Sequence, residues 1–354
     1  MWKDAKYLLA YASPAAGFLG LWLQGAWAPG SFYIAFVIIP LMELISKGSD
    51  QNLSADEETE KAGSVFFDIL LYLNAPILYG ALAYFFYLAA FTTLSTPELI
   101  GSIVNVGILV GTLGINVGHE LGHRVKTFEQ TLAKILLLPA LYMHFFIEHN
   151  RGHHKNVATD DDPASARRGE TVYGFWIKSI SGSYWHAWQL ETRRLEQAGQ
   201  SFWSLHNQML VFQVVQLVYL AIIGLLFGSL TVVYALAVAL VGVLLLESVN
   251  YIEHYGLRRK ILPNGRYEPV NPRHSWNSDH DLGRIFLYEL TRHSDHHYKA
   301  SRKYQVLRHW DESPQLPVGY PGAIVLSLAP PLWFALMDKR VEKLSHRLPV
   351  QTEN

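Results

Sequence analysis

The chain has 354 residues, half of them hydrophobic and only 17% charged, against about 25% charged in a typical soluble protein. Its 29 Lys and Arg against 30 Asp and Glu leave no basic excess, which excludes a nucleic-acid binder. The absence of cysteine excludes disulfides, zinc–thiolate sites, cysteine-ligated iron–sulfur clusters and thiol catalysis.

Six apolar runs follow in chain order. Residues 7–28 and 31–45 read as a hairpin turning at Ala28-Pro29-Gly30. Residues 66–91 and 99–118 form a second pair, and residues 209–227 and 230–249 a third that turns at Gly228-Ser229. Because about 20 apolar residues cross a hydrocarbon core, the expected fold is an all-α membrane protein with six transmembrane helices. Residues 119–207 and 250–354 are expected to form a helical cap, the whole making one integral-membrane domain over 1–354. Two shorter apolar stretches, 132–147 and 321–337, are expected as half-buried or interfacial helices. Lys and Arg fall in four stretches (3–6, 47–61, 124–194 and from 258 onward) and in none of the three turns. By the positive-inside rule, both termini and the cap face the cytoplasm. The start lacks the charged, short-apolar and small-residue pattern of a signal peptide, so the first span is expected to be retained. The acidic stretch 50–60 reads as a solvated loop.

The histidines are the unusual feature. Nine of the sixteen lie in four tight groups. The first is His119-Glu120-Leu121-Gly122-His123, where the fourth span leaves the membrane. The second is Glu148-His149-Asn150-Arg151-Gly152-His153-His154. The third centres on Glu253-His254 at the end of the sixth span, and the last is His293-Ser294-Asp295-His296-His297. On a helix, positions i and i+4 share a face, so His119 and His123 can reach one metal. Eight or nine imidazoles exceed what one tetrahedral zinc accepts, which points to two metal ions at a membrane surface. Imidazole suits iron, zinc, copper or nickel alike, so the spacing leaves the metal open. An acidic residue adjoins every group: Glu120, Glu148, Glu253 and Asp295 are expected to hydrogen-bond the far ring nitrogen of neighbouring ligands. His144 reads as a buried histidine and His274 and His280 as candidates near the site, whereas His186, His206, His309 and His346 read as surface residues.

These motifs, together with Asn250-Tyr251-Ile252-Glu253-His254-Tyr255-Gly256-Leu257, Ser275-Trp276-Asn277-Ser278 and Pro317-Val318-Gly319-Tyr320-Pro321-Gly322, resemble the transmembrane alkane 1-monooxygenase family. This is a non-haem di-iron family similar to membrane fatty-acid desaturases and xylene monooxygenase. The sequence departs from the family pattern at Thr291, commonly Gln, and at Tyr298, often a small residue. The resemblance implies two irons held by His119, His123, His149, His153, His154, His254, His293, His296 and His297 on the cytoplasmic side of a bacterial inner membrane. It implies O2-dependent hydroxylation of the terminal methyl of medium-chain n-alkanes. Electrons would come from rubredoxin, itself reduced by a NAD(P)H-dependent rubredoxin reductase.

The residues agree with that chemistry. An alkane C–H bond offers no acid, base or leaving group, so a metal must do the difficult step while the protein supplies a dry pocket. Without cysteine or a dinucleotide fingerprint, the chain must take electrons from another protein. A metal site at the bilayer surface lets an oily substrate arrive from membrane lipid. Ile115, one helical turn before His119, and Asn250 and Leu246, one and two turns before His254, are expected to face it. Rival readings are a related desaturase or xylene-type methyl hydroxylase, a zinc metallohydrolase using Glu120 as base, and a divalent-metal transporter. The hydrolase leaves seven clustered histidines idle. The transporter lacks the expected midplane charges and internal repeat.

Overall fold

A computed structural model describes residues 2–46 and 48–347, with the side chains of residues 2, 3 and 345–347 left aside; Lys47, the side chain of His346 and residues 348–354 lie outside the description. The described residues are helical and irregular, with two isolated β-bridges and no strand. Among the described residues, four helices are long and apolar enough to cross a membrane: Val65–Phe91, Thr96–Gly122, Gln208–Phe227 and Ser229–His254. The first expected pair is shorter. Its first arm divides into a 3-10 segment, Trp2–Tyr11, and the helix Ala12–Leu23; its second is the apolar helix Gly30–Glu43, which widens into a π-turn over Ile34–Ile38.

Local chemistry sets these ends. Ser95 and Glu98 form a capping box at the start of Thr96–Gly122, with Pro97 in its first turn. Asn207 accepts from the Leu210 amide at the start of Gln208–Phe227. Gly228, at φ 91°, makes the tight turn into Ser229–His254. That last helix runs five residues beyond the expected limit of 249. Asn250 to His254 are buried against the cap, so the helix has no reason to fray into water where its polarity rises. Likewise Thr96–Gly122 carries His119 inside it, beyond the expected 118.

The two histidine-bearing helices approach closely through glycine. A Cβ on Gly107 would lie 2.4 Å from Cβ of Val241, and one on Gly242 would lie 2.7 Å from Cγ1 of Val110. Missing side chains at the crossing therefore let the C-terminal ends, with His119 and His254, converge. The cap is led by a 26-residue helix, Val172–Gln197, capped by Thr171 and invisible to a hydropathy reading. Its buried row Val172, Phe175, Ser179, Ser183, Ala187, Glu191 and Leu195 follows the helical period, so one face packs inward. Glu191 fastens it to the membrane helices by accepting from the Gln208 amide at 2.8 Å. The stretch 132–147 divides into Thr127–Leu137, a 3-10 turn Leu138–Ala140 and Phe145–Glu148. The stretch 321–337 divides into Tyr320–Ser327 and Pro330–Arg347.

Candidate metal centre

The nine clustered histidines come together as two adjoining sets. His119, His123, His149, His154 and His296 form one, and His153, His254, His293 and His297 the other; within each, one ligand atom per residue lies within 4.8 Å of all the rest. In the five-histidine set, Nε2 atoms meet at 2.9 Å (His119–His296), 3.1 Å (His296–His154), 3.0 Å (His154–His149) and 3.1 Å (His149–His123). In the four-histidine set, His254–His293 and His293–His297 meet at 3.3 and 2.9 Å. The sets touch, with the rings of His154 and His297 centred 4.4 Å apart.

Helix type decides which histidine joins which set. His119 and His123, and His293 and His297, are i,i+4 pairs that share a set, as an α-helix requires. Over His149–His153 the backbone opens into a π-turn. One extra residue per turn aligns His149 with His154 at i+5 and sends His153 to the other set. Gly152 lies in this turn, where a Cβ would fall 2.6 Å from Oε1 of Glu148 and 2.8 Å from the His186 ring.

The donor set fits metal. A neutral imidazole carries one N–H, so rings whose Nε2 atoms converge at about 3 Å cannot satisfy one another by hydrogen bonds. A cation at the centre of each set satisfies every lone pair at once. Burial pushes the pKa of His149, His154, His293, His296 and His297 well below the ordinary histidine range, which keeps the rings neutral and ready to ligate. His153 is held differently. Burial acts to lower its pKa, but the Asp162 carboxylate, 2.9 Å from Nδ1, outweighs that and raises it. The same contact fixes the proton on Nδ1 and leaves the buried Nε2 with no partner, facing the four-histidine set.

Asp162 escaped sequence reasoning. It sits in an acidic run before Pro163, accepts from Ser165 Oγ at 2.5 Å and from the Ala164 amide at 3.1 Å, and adjoins no histidine in sequence. Three of the four expected carboxylates turn to other partners. Glu120 is paired with Arg124, at 2.9 Å to Nε and 2.7 Å to a terminal nitrogen, and accepts from the Tyr304 amide. Glu148 accepts from Nδ1 of His186 at 3.0 Å, a bond that raises the pKa of this half-buried histidine. Asp295 binds Arg302, Trp310 and the Arg308 amide. A residue beside a helical ligand points about 100° away from it, which is why adjacency misleads here. Only Glu253 comes to a clustered histidine: its Oε2 is 3.2 Å from His293 Nε2, on the metal-facing side of the ring, while Oε1 is buried without a partner. His254 Nδ1 donates to the carbonyl of His274, at 3.3 Å.

The other histidines serve elsewhere. His144 is buried between the rings of Tyr142 and Tyr184 with Nε2 unpartnered. The His274 side chain meets Glu268, and His309 pairs with Asp279 and Asp311.

An apolar cavity of about 710 Å³, counted with its mouth, ends on both sets. His119 and His149 of one set and His293 of the other line its floor, and Phe36, Leu245, Leu246 and Val249 line its walls. Leu246 and Asn250 border it. Ile115 does not: it is fully buried in the main core, while Gly111, Thr112 and Asn116 take the cavity side. The π-turn Val110–Asn116 breaks the 3.6-residue period on which the expectation for Ile115 rested.

Residues 97–322, which carry all nine histidines, match the fatty acid desaturase family. The chain is 39% identical over 345 residues to the alkane 1-monooxygenase of Ectopseudomonas oleovorans, covering 96% of this chain and 86% of that one. It is also 39% identical over 349 residues to alkane 1-monooxygenase 1 of Alcanivorax borkumensis, covering 97% and 86%. A xylene/toluene monooxygenase hydroxylase component of Pseudomonas putida is 28% identical over 337 residues, covering 94% and 88%. The chain belongs to the fatty acid desaturase family, and within it to the alkane 1-monooxygenases.

Proposed function

We propose that this chain hydroxylates the terminal methyl of medium-chain n-alkanes to 1-alkanols, using O2, two non-haem irons and electrons from rubredoxin. The observation that carries the reading is the apolar cavity closing on both histidine sets. An unfunctionalised hydrocarbon gives a protein nothing to grip except shape, and a pocket with apolar walls leading to metal-ready imidazoles meets that need. The nine histidines would hold the two irons, five at one and four at the other, with Glu253 beside the second set. Iron bound there supplies the activation of O2 that an inert C–H bond requires.

The chain's own residues do the rest. Leu245, Leu246 and Val249 exclude water and guide the chain end toward the floor. Asp162 holds the proton on His153 Nδ1. With no cysteine, the chain holds no iron–sulfur relay of its own, which supports an external one-electron donor; rubredoxin, fed by its NAD(P)H-dependent reductase, fills that role in this proposal. Glu120, tied into its ion pair with Arg124, is not free to act as the base of a zinc hydrolase.

For topology we propose six spans in a bacterial inner membrane, with the Trp2–Leu23 segment and Gly30–Glu43 completing the four long helices, and with the termini and cap cytoplasmic. The clustering of Lys and Arg outside the three turns supports that orientation. The test is metal analysis of detergent-purified protein expressed with iron and zinc available, followed by octane conversion with rubredoxin and its reductase. Close to two irons per chain and 1-octanol as product are expected. One stoichiometric zinc, with no recovery of activity on adding ferrous iron, would overturn the reading.

A further inference from the structure

The cavity is apolar except at its metal end, where two asparagines stand in matching positions. Asn116 lies three residues before His119, and Asn250 four residues before His254, so each sits one helical turn from a histidine of a different set. Both amide nitrogens are committed to the protein. Asn116 Nδ2 donates to the Leu287 carbonyl at 3.2 Å, and Asn250 Nδ2 donates to Oε2 of Glu247 at 3.2 Å. Neither Oδ1 takes a hydrogen bond from any described residue. Each bond turns its amide nitrogen toward the protein, which leaves the two Oδ1 atoms as acceptors for the cavity beside the Glu253 carboxylate that also lines it.

The Glu247 contact is itself braced. Its carboxylate also accepts from Tyr142 OH at 2.8 Å and Ser179 Oγ at 2.5 Å, and the residue is 1% exposed inside an apolar helix. A buried carboxylate that collects three donors, one of them from the cavity wall, fixes which way that wall's amide points. Thr112 adds no competing donor, since its hydroxyl bonds back to the Ile108 carbonyl at 2.8 Å.

An alkane has no group that can use such acceptors, whereas a primary alcohol has one O–H to donate. We propose that Asn116 and Asn250 form a hydroxyl-accepting pair that holds a primary alcohol at the metal end of the cavity, with Glu247 as the positioning residue for Asn250. The proposal rests on the alkane-hydroxylase reading and adds a binding distinction between substrate and product. The pair lets the site retain an alcohol in register after it forms, so it governs release and repeated oxidation rather than alkane capture.

The test compares 1-octanol with 1-chlorooctane, a ligand of similar length that cannot donate. Binding to zinc-loaded protein in detergent is followed by calorimetry, and 1-octanol inhibition and the KM for octane are measured in the iron-loaded enzyme. The wild type is expected to prefer the alcohol by on the order of tenfold, the scale of one or two neutral hydrogen bonds. Asn116→Leu with Asn250→Leu should bring the two ligands to parity and raise the inhibition constant of octanol by a larger factor than it changes the octane KM. Should that variant fail to fold, Glu247→Leu removes the brace without touching the pair and should narrow the preference, and Glu247→Gln, which keeps an acceptor, should restore it. Equal binding of octanol and chlorooctane by a wild type that hydroxylates octane overturns the pair and leaves the activity standing. An alcohol preference abolished by the asparagine changes, in a protein that takes up no iron, upholds the pair and overturns the activity.

Discussion

At the scale of single residues, the metal centre and its pocket answer to different side chains. Asp162 holds one protonation state of His153 through a 2.9 Å contact, and a carboxylate behind a metal-binding histidine typically accounts for 10–100-fold in metal affinity. Asp162→Asn is therefore expected to leave the five-histidine set loaded and to empty the four-histidine set first. Metal-to-protein ratios measured during dialysis against a weak chelator should fall from about two toward one, while the wild type holds both. Leu246 and Ile115 give the second contrast. Leu246 borders the cavity, so Leu246→Trp should shift product formation toward shorter alkanes at full metal content. Ile115 is fully enclosed by the main core, and Trp there overpacks it. About 1–3 kcal/mol of stability should be lost, read as a lower Tm, with no new preference among chain lengths. A Leu246→Trp enzyme with an unchanged product profile would remove the residue from the pocket wall.

At the scale of elements, departures from the α-helix do the sorting. The nine histidines were legible from spacing because ligation needs neighbouring imidazoles, and Leu246 and Asn250 because their helix keeps its period up to His254. Their division into five and four was not legible. It depends on the π-turn at His149–His153, and a π-turn is one residue of slack with no fixed sequence mark. The same holds for Ile115, displaced from the cavity by the π-turn at Val110–Asn116. Asp162 and Glu247 were hidden for another reason: Asp162 meets His153 through a local turn of the chain with no periodic mark, Glu247 meets Tyr142 and Ser179 from distant segments, and hydropathy cannot reveal either. Gly152 offers a test of the first turn. Its missing Cβ makes room for the Glu148–His186 bond, so Gly152→Ala should break that bond and lower the Tm. Pairing it with His186→Ala clears part of the clash, and the double variant should lose less than the two single losses added together. Simple additivity would mean that the glycine serves backbone freedom alone.

At the scale of the whole molecule, the metal centre is where the separate parts of the fold are joined. His119 and His254 come from helices brought together by Gly107 and Gly242, His149 to His154 from the short helical stretch 145–156, and His293 to His297 from the far end of the cap. The imidazoles link all four segments at this point, and their nitrogens face one another without enough protons to bond. A buried polar group left unsatisfied costs about 1–3 kcal/mol, so a metal-free centre strains each segment against the others. A ligand that binds only the folded state stabilises it in proportion to the logarithm of its concentration over Kd. Stripping the metal should thus lower the Tm in detergent by a margin that returns on adding ferrous iron or zinc, and the gain should grow with free metal concentration. The Gly242→Val variant probes the same coupling from outside the centre. A Cβ at this position would press on Val110 at 2.7 Å, driving the two helices apart and His119 away from His254. It should flatten the dependence of Tm on metal, although it alters no histidine. If stripped and loaded protein melted alike, the four segments would be held by apolar packing alone and the centre would be a passenger on the fold.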